Sequence, residues 1–457
     1  MKHNLYKNLL IGFSLFLLFQ SCKTSTVNPV TISDNATITS IAIQSNTKSP
    51  NASSAIFTID NDKGTIYNID SLPYNTRVDS LYPAIRFYSS DGFIVNDTLT
   101  YTPYSGITKA VNFTKKVKVL NVASDGKSKK EYTIDLRVHK VNPYEYRWTK
   151  LTDRIAANVY ENQRAILFKE KYLLFTGSAA ANYLYTSVNA LTWEQKSISG
   201  LPTGISFQSV DTFNVTKNPA NNTIYLVSDN AVYTSADGTV WVKAADNNYA
   251  YKALLGQLQN KLYAIAQNKT TNAYQIIAST DGITWSEIYT PTVNSFPIAD
   301  FGVTTFILKN GLSRMVVVGG KNQNGVKLNS RWTTDGENWV KLENLKSPFT
   351  EISGTAIAHY GSRLLLLGGT DKMESLGDSV FQFRNSLTEG LSWEKPNVTL
   401  LDKSYQYRQG ASVIVNSKER AFYIIGGRNK DGELADVWKI KVNYYAFKDW
   451  EANPNKY

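Results

Sequence analysis

Tryptophan recurs at a nearly regular interval along the C-terminal part of the chain. The positions are Trp148, Trp193, Trp241, Trp285, Trp339 and Trp393, separated by 45, 48, 44, 54 and 54 residues. A period of roughly 45 to 50 residues, with several short strands in each unit, is typical of repeats in which every unit forms one small sheet around a common axis. The sequence therefore predicts an all-β repeat domain, a β-propeller, over residues 144–457.

Three of these tryptophans end the same short turn motif. The motif residues are Asp237, Gly238 and Trp241, then Asp281, Gly282 and Trp285, then Asp335, Gly336 and Trp339. Aspartate accepts hydrogen bonds from turn amides and glycine adopts the positive φ angle, so the motif predicts a hairpin turn with the tryptophan packed over the outer strands. Residues 187–193 and 386–393 are degenerate copies. The motif resembles the Asp-box of sialidase-like propellers, which is scaffold and lies away from their active site.

A glycine pair follows an apolar strand in each of the last three repeats. The pairs are Gly319-Gly320, Gly368-Gly369 and Gly426-Gly427. With the third-strand segments 329–332 and 435–438, they resemble kelch repeats. The first three repeats depart from this pattern, and the residues at the corresponding places are Gly177, Ser228-Asp229 and Ala266-Gln267.

Six inner strands can be counted along the repeats. They are predicted to begin near Arg164, Ser209, Ala253, Gly302, Gly354 and Gly410. The last repeat has no tryptophan hairpin strand of its own, whereas the strand with Trp148 precedes the first inner strand. We expect this strand to pair with the last blade, because such closure of a six-bladed ring leaves no exposed edge.

The segment before the repeats alternates between apolar and polar residues. The clearest example is residues 132–138, and such alternation is typical of strands with one buried face. Similar runs lie at residues 41–43, 56–59, 66–69, 85–88 and 117–122. About seven short strands in about 105 residues suit an immunoglobulin-like sandwich. We therefore predict an Ig-like β-sandwich over residues 37–143 that resembles modules which Bacteroidetes place beside lipid anchors, with Asn142-Pro143 as the boundary.

The first residues indicate export. Lys2 and Lys7 precede an apolar run at residues 9–19, which is shorter than the roughly 20 residues of a membrane-spanning helix. The run ends in residues 18–22, which resemble a bacterial lipobox, and Cys22 is the one cysteine of the chain. The sequence thus predicts a signal peptide (1–21), a lipidated tether (22–36) and an outer membrane lipoprotein whose face, periplasmic or cell-surface, is undetermined. The whole chain resembles Bacteroidetes lipoproteins of unknown function.

The distribution of charged residues and the small number of histidines argue against several kinds of chemistry. The formal charge of +11 is spread thinly, whereas nucleic-acid sites concentrate basic residues on one face. After the signal peptide the only histidines are His139 and His359, so a histidine metal site or a Ser-His-Asp triad is not expected. Arginines suited to a sialidase site occur without the spacing that would gather three of them. We predict no catalytic residues, metal or cofactor, and no nucleic-acid partner.

The loops that lead into inner strands are the expected binding surface of a propeller, because its ligands meet the mouth of the axis. Candidate ligand contacts there are Tyr160, Tyr249, Tyr251, Phe296, Asp300, Phe301, Tyr405, Tyr407 and Arg408. Tyrosine and arginine suit a glycan or a protein epitope. The predicted function is a non-enzymatic glycan- or protein-binding module of the cell envelope. The alternatives are a carbohydrate-active enzyme of sialidase or lyase type and a structural envelope scaffold.

Overall fold

A computed structural model describes residues 32–95, 99–101, 109–142, 145–214, 222–228, 231–244, 248–308, 310–343, 350–371, 383–394 and 401–443. The chain divides between Asn142 and Pro143 into two compact units. The predicted signal peptide, Cys22 and the tether as far as residue 31 lie outside the described residues. Within them, no helix has the length and apolar character needed to cross a bilayer.

The N-terminal unit contains two sheets. Its elements are β1 (Ile38–Ile43), a 3-10 helix (Pro50–Ser54), β2 (Phe57–Asp60), β3 (Thr65–Asn68), β4 (Pro83–Phe87), β5 (Gly92–Val95), β6 (Leu99–Tyr101), β7 (Val117–Val122) and β8 (Lys129–Asp135). One sheet pairs β1 with β4, and the other has the order β2-β3-β8-β7-β5-β6. The β3–β8 pair is parallel, and the other pairs are antiparallel.

Alternation along the strands gives this unit its core. In β7, Val117 and Val119 are buried while Lys118 between them is exposed. One apolar cluster joins residues of both sheets, among them Ile41 of β1 and Val119 of β7. Each buried aliphatic side chain of this kind stabilises the fold by about 1.5–3 kcal/mol. The core therefore lies between the two sheets.

The C-terminal unit is a series of small antiparallel sheets. Its strands are β9 (Tyr146–Thr152), β10 (Asn162–Phe168), β11 (Lys171–Gly177), β12 (Asn182–Ser187), β13 (Glu194–Lys196), β14 (Val210–Phe213), β15 (Thr223–Ser228), β16 (Ala231–Ser235), β17 (Val242–Lys243), β18 (Tyr249–Leu258), β19 (Lys261–Asn268), β20 (Tyr274–Ser279), β21 (Ser286–Tyr289), β22 (Gly302–Ile307), β23 (Ser313–Val318), β24 (Arg331–Thr334), β25 (Trp339–Lys341), β26 (Ile352–Ser353), β27 (Ala356–Tyr360), β28 (Arg363–Leu367), β29 (Thr370–Asp371), β30 (Phe383–Ser386), β31 (Ser412–Asn416), β32 (Ala421–Ile425), β33 (Arg428–Asn429), β34 (Gly432–Glu433) and β35 (Val437–Val442).

Six sheets of three or four strands are present in the described part of this unit. Their orders are β10-β11-β12-β13, β14-β15-β16-β17, β18-β19-β20-β21, β22-β23-β24-β25, β27-β28-β30 and β31-β32-β35-β9. In the last of them β9, the first strand of the unit, pairs antiparallel with β35, so that Tyr146 lies opposite Val442. Two-stranded pairs, β26 with β29 and β33 with β34, accompany the sheets.

The first strands of the six sheets lie next to one another in chain order. β10 contacts β14, β14 contacts β18, β18 contacts β22, β22 contacts β27, and β27 contacts β31. β31 also contacts β10, which belongs to the first sheet. These six first strands are the inner strands of the unit.

Apolar layers fill the space between neighbouring sheets. The second strand of each sheet is buried almost throughout, as in β11, which is expected for strands covered on both faces. Phe175 of β11 packs against Phe207 and Trp241 of the next sheet, with ring centroids 5.8 and 5.7 Å away. Sheet-on-sheet packing of this kind holds the unit together.

The turns before the tryptophans are held by their own side chains. Asp281 Oδ1 accepts hydrogen bonds from the amides of Ile283 (2.8 Å) and Thr284 (2.7 Å). In the first sheet Asn189 accepts equivalent bonds, and Ala190 takes the positive φ, 56°. The aspartate or asparagine therefore supplies the acceptor, and the charge is not required.

Glycine pairs at the ends of the last three second strands lie against the chain that enters the following sheet. The amide of Gly320 donates to the carbonyl of Ile352 (2.7 Å), and that of Gly369 to the carbonyl of Arg408 (3.0 Å). The carbonyl of Gly427 accepts from Gln163 Nε2 of β10 (3.3 Å). These contacts bring the loops at this end of the sheets together.

Candidate functional site: a polar hollow at the start of the inner strands

A hollow opens where the inner strands begin. It comprises two cavities of about 400 and 450 Å³ that share Gln208, Asp300, Gly354 and Gly410. The outer cavity, called the mouth, is also lined by Glu161, Lys321, Lys327, Ser353, Thr370, Gln409, Gly427, Arg428, Asn429 and Lys430. The inner cavity, called the axial part, adds residues of β10, β15, β18 and β22 and the residue before β14, and these include Arg164, Lys252 and Ser209. Strands of four sheets and the loops that lead into the other two thus contribute to the hollow.

Backbone hydrogen bonds tie three of the loops around the mouth. The amide of Gly354 donates to the carbonyl of Asp300, and the amide of Gly410 donates to the carbonyl of Gly354, both at 2.7 Å. Asp300 has a positive φ of 55°. A left-handed residue without the freedom of glycine is uncommon and is concentrated at functional positions. The rim of the hollow is therefore set by fixed backbone rather than by side chains alone.

Both carboxylates of the mouth face cations. Asp300 pairs with Lys321 at 2.8 Å, and Glu161 pairs with Arg428 at 2.8 Å. All four side chains are at least one-third exposed, so each pair contributes about 0–1 kcal/mol to stability. These ion pairs hold hydrogen-bond donors and acceptors in place at the edge of the cavity.

The axial part contains an arginine and an aspartate in a poorly solvated setting. Desolvation lowers the pKa of Arg164, and the charge of Asp211 partly opposes this effect. Desolvation also raises the pKa of Asp211, against the amide of Thr212, which donates to its Oδ1 at 2.7 Å. The Nε of Arg164 has no hydrogen-bond partner among the described residues. The inner strands thus present two poorly solvated ionisable groups beside the hollow.

Four of the predicted ligand contacts lie at or beside the hollow. Asp300 lines both cavities, and Phe301 and Tyr251 line the axial part. Tyr251 is nevertheless buried, with its ring against Trp285 at 5.7 Å. Tyr160 precedes the mouth residue Glu161, and its ring lies 5.9 Å from that of Tyr183.

The remaining predicted contacts pack elsewhere. Phe296 is buried beside Trp332 and Trp339. Tyr405 is buried against Trp148 and Trp438, and Tyr249 and Tyr407 are partly buried. Phe296 and Tyr405 thus pack between sheets and have almost no surface to offer a ligand.

Arg408 is also internal. Its guanidinium forms a two-pronged ion pair with Asp436, and it donates to the carbonyls of Gly426 and Gln406, both at 3.0 Å. Asp436 in turn accepts from Trp438 Nε1 at 2.8 Å. This network fixes the loop that leads to the last inner strand. The guanidinium of Arg408 is therefore bonded within the protein and does not face a ligand.

Several mouth residues were not singled out from the sequence. Lys321, Thr370 and Arg428 each follow a glycine pair directly, and all three line the mouth. The glycine pairs could therefore have indicated these residues, because the residue after each pair lines the same cavity. Lys327 and Lys430 lie in the loops that continue from there.

Among the described residues, no group of three or more His, Cys, Asp or Glu side chains is placed to hold a metal ion. His359 lies away from the hollow, with its ring stacked on Phe306 at 4.7 Å. Desolvation lowers the pKa of His359. Its place is in the packing between β22 and β27.

The comparisons with known proteins define the class first. Residues 142–449 match the model described as DUF6242 beta propeller domain, so the C-terminal unit is a β-propeller. Residues 28–136 match the model described as Domain of unknown function (DUF6242) N-terminal domain. The chain belongs to the DUF6242 family.

Solved structures resemble the chain at low identity. One, described as "Structure of YjhT", is 13% identical with a TM-score of 0.44 and covers 64% of this chain and 97% of its own. Another, a protein of unknown function from Dyadobacter fermentans DSM 18053, is 11% identical with a TM-score of 0.40 and covers 65% and 99%. No curated protein matches the sequence.

Proposed function

We propose that this propeller is a non-enzymatic binding protein of the cell envelope that holds a glycan in the hollow. The observation that carries the proposal is a hollow lined by amide, hydroxyl, carboxylate and ammonium groups from strands of the sheets and from the loops that lead into them. Such groups match the many hydroxyls of a sugar. A mouth of about 400 Å³ has the size of a small-ligand pocket, which favours a sugar residue over a folded protein epitope.

The proposal includes a six-bladed ring. Its support is the sequence of contacts between inner strands, the pairing of β9 with β35, and the hydrogen bond from Gln163 to Gly427. In this interpretation the blades are kelch- and Asp-box-like and the N-terminal unit is an Ig-like sandwich. The hollow is then the mouth of the propeller axis.

Export and lipidation belong to the same proposal. Their support is the short apolar run behind Lys2 and Lys7 and the position of the single cysteine, Cys22. Several acyl chains would anchor the protein stably, because each buried methylene contributes about 0.8 kcal/mol. Cys22→Ala should move the protein from the membrane fraction to the soluble fraction of cells. Retention of the variant in membranes would contradict lipidation.

A carbohydrate-active enzyme is the second candidate, and one observation favours it. The raised pKa of Asp211 is the property of a general acid near a cavity. The hollow offers no free second carboxylate among the described residues, because Glu161 and Asp300 are both ion-paired. Binding therefore has the better support.

A glycan panel tests the proposal with the full chain purified in mild detergent. Binding and sugar release should be scored together, and we expect binding without release. Gln208→Trp should weaken binding at least about tenfold, because Gln208 is exposed and lines both cavities. Lys171→Trp is the matched control, since Lys171 is exposed at the opposite end of the first sheet.

Three outcomes are informative. Release of sugar would favour the enzymatic candidate. Unchanged glycan binding by Gln208→Trp would place the ligand outside the hollow. Failure of every glycan to bind, together with a protein partner recovered by cross-linking, would favour a structural envelope scaffold.

A further inference from the structure

Positive charge predominates around the hollow. Among the described residues its lining includes six cationic side chains, and these are Arg164, Lys252, Lys321, Lys327, Arg428 and Lys430. The lining carboxylates are those of Glu161 and Asp300. A cleft of one sign with protein walls concentrates its field and attracts ligands of the opposite sign.

Two of the six cations are ion-paired with these carboxylates. They are Lys321 and Arg428, and Lys327 donates a hydrogen bond to Thr370 Oγ1 at 3.2 Å. Lys430 is exposed at the mouth and has no partner among the described residues. The mouth therefore retains the ammonium group of Lys430 for a ligand.

Arg164, in the axial part, likewise has no ion pair among the described residues. No ion pair within 4 Å joins it to Asp211 in the described part of the chain, and its Nε lacks a hydrogen-bond acceptor. The carboxylate of Asp211 instead lies beside Gly256 of β18. A Cβ added at Gly256 would be 2.8 Å from Asp211 Oδ2. A buried guanidinium nitrogen without an acceptor is costly, and an anionic group in the axial part would offset that cost.

We propose that the glycan held in the hollow is acidic. Its carboxylate or sulfate groups meet Lys430 at the mouth and Arg164 in the axial part. This inference rests on the proposed function and names its ligand class. A planar guanidinium suits a carboxylate or sulfate because it donates two parallel hydrogen bonds. Overall charge does not carry the inference, because the chain's excess of lysine is spread over its length.

Trigalacturonate and its methyl ester are the decisive pair of probes, because esterification removes the charge of each carboxyl group and keeps the sugar chain the same. Binding to the full chain should be measured by calorimetry at about 0.15 M salt, where surface charges are largely screened. We expect the acid to bind at least about tenfold more tightly than the ester. Sulfated and unsulfated chondroitin disaccharides distinguish a sulfate site from a carboxylate site in the same assay.

Variants locate the anion. Lys430→Ala and Arg164→Gln should each reduce affinity for the acidic sugar about tenfold and reduce the preference for the acid over the ester. Lys171→Ala removes the same charge at the opposite end of the first sheet and should have no effect. Circular dichroism and thermal unfolding check that Arg164→Gln is folded, and Lys430→Ala, at an exposed position, tests the inference independently.

The outcomes separate this inference from the proposed function. Equal binding of acid and ester, or unchanged preference in both Lys430→Ala and Arg164→Gln, would overturn the acidic ligand and leave glycan binding standing. Failure of all sugars to bind, neutral or acidic, would overturn the proposed function and the inference together.

Discussion

Asp281 illustrates how one side chain specifies a turn. Partial desolvation raises the pKa of this carboxyl, but the amides of Ile283 and Thr284 and the hydroxyl of Ser279 outweigh it and lower the pKa to about 2. A pKa below the unfolded value, near 3.8, stabilises the folded state above that pH. The contribution is lost as the pH falls from about 4 toward 2.

Asp281→Asn keeps the acceptor but removes the titration, as Asn189 does naturally in the first sheet. We therefore expect the free energy of unfolding of wild type, relative to Asp281→Asn, to decrease between about pH 5 and pH 2. Asp281→Ala should be less stable than Asp281→Asn at both pH values, by about 1 kcal/mol. Urea unfolding measures each difference, and a difference between wild type and Asp281→Asn that is constant with pH would contradict the assignment.

The pair Arg408–Asp436 is the second residue-scale case. Its side chains are 1% and 8% exposed, so removing one partner leaves a buried charge. We expect Asp436→Asn to destabilise the protein by about 3–5 kcal/mol. The double variant Arg408→Met with Asp436→Leu should lose less free energy of unfolding than the summed losses of Arg408→Met and Asp436→Leu. Urea unfolding measures all three. Additive losses would show that the two side chains act independently.

These two residues also show what the sequence can and cannot predict. The turn at Asp281 could be derived because its atoms lie within a few residues. The role of Arg408 could not, because Asp436 lies 28 residues away and only the folded sheet brings the two together. A conspicuous arginine in a loop looks like a ligand contact until its partner is known.

At the scale of elements, the glycine pairs link the end of one second strand to the next sheet. Gly368 has a φ of 63°, and a Cβ there would lie 2.1 Å from the carbonyl oxygen of Arg408. Gly311 also has a positive φ, 84°, but a Cβ there has nothing within 4 Å. The two positions share backbone strain and differ in crowding.

Gly368→Ala should therefore destabilise the protein more than Gly311→Ala. We expect about 1–2 kcal/mol for Gly311→Ala from the left-handed backbone alone. For Gly368→Ala we expect about 1–3 kcal/mol more, from displacement of the chain that leads to β31. Thermal and urea unfolding compare the two, and equal losses would show that the contact with Arg408 has no energetic consequence.

The elements themselves were largely accessible from the sequence. Alternation places β7 correctly and overlaps β8, which begins at Lys129 and ends at Asp135 instead of covering residues 132–138. The apolar runs before the glycine pairs coincide with the buried strands β23, β28 and β32. The lining of the mouth was less accessible. It depends on which end of each sheet the loops share, and that is a property of the assembled sheets.

At the scale of the whole molecule, the order of sheets links the two ends of the propeller chain. The last sheet takes β31, β32 and β35 from the C-terminal part and β9 from residues 146–152. Counting strands along the repeats predicts six units and a donated strand, but no local pattern predicts which residues line the hollow. That lining combines strands and loops that are distant in the sequence.

The donated strand gives the last prediction. Without β9, the backbone groups of β35 would be an open edge, and the apolar cluster that contains Tyr146 and Trp438 would lose one of its walls. A fragment of residues 153–457 should therefore unfold at a lower temperature and aggregate more readily than a fragment of residues 145–457. A synthetic peptide of residues 145–152, added in excess, should restore part of the difference because it supplies the missing strand. A peptide with the same residues in scrambled order is the control, and equal thermal stability of the two fragments would show that the last sheet does not need the first strand.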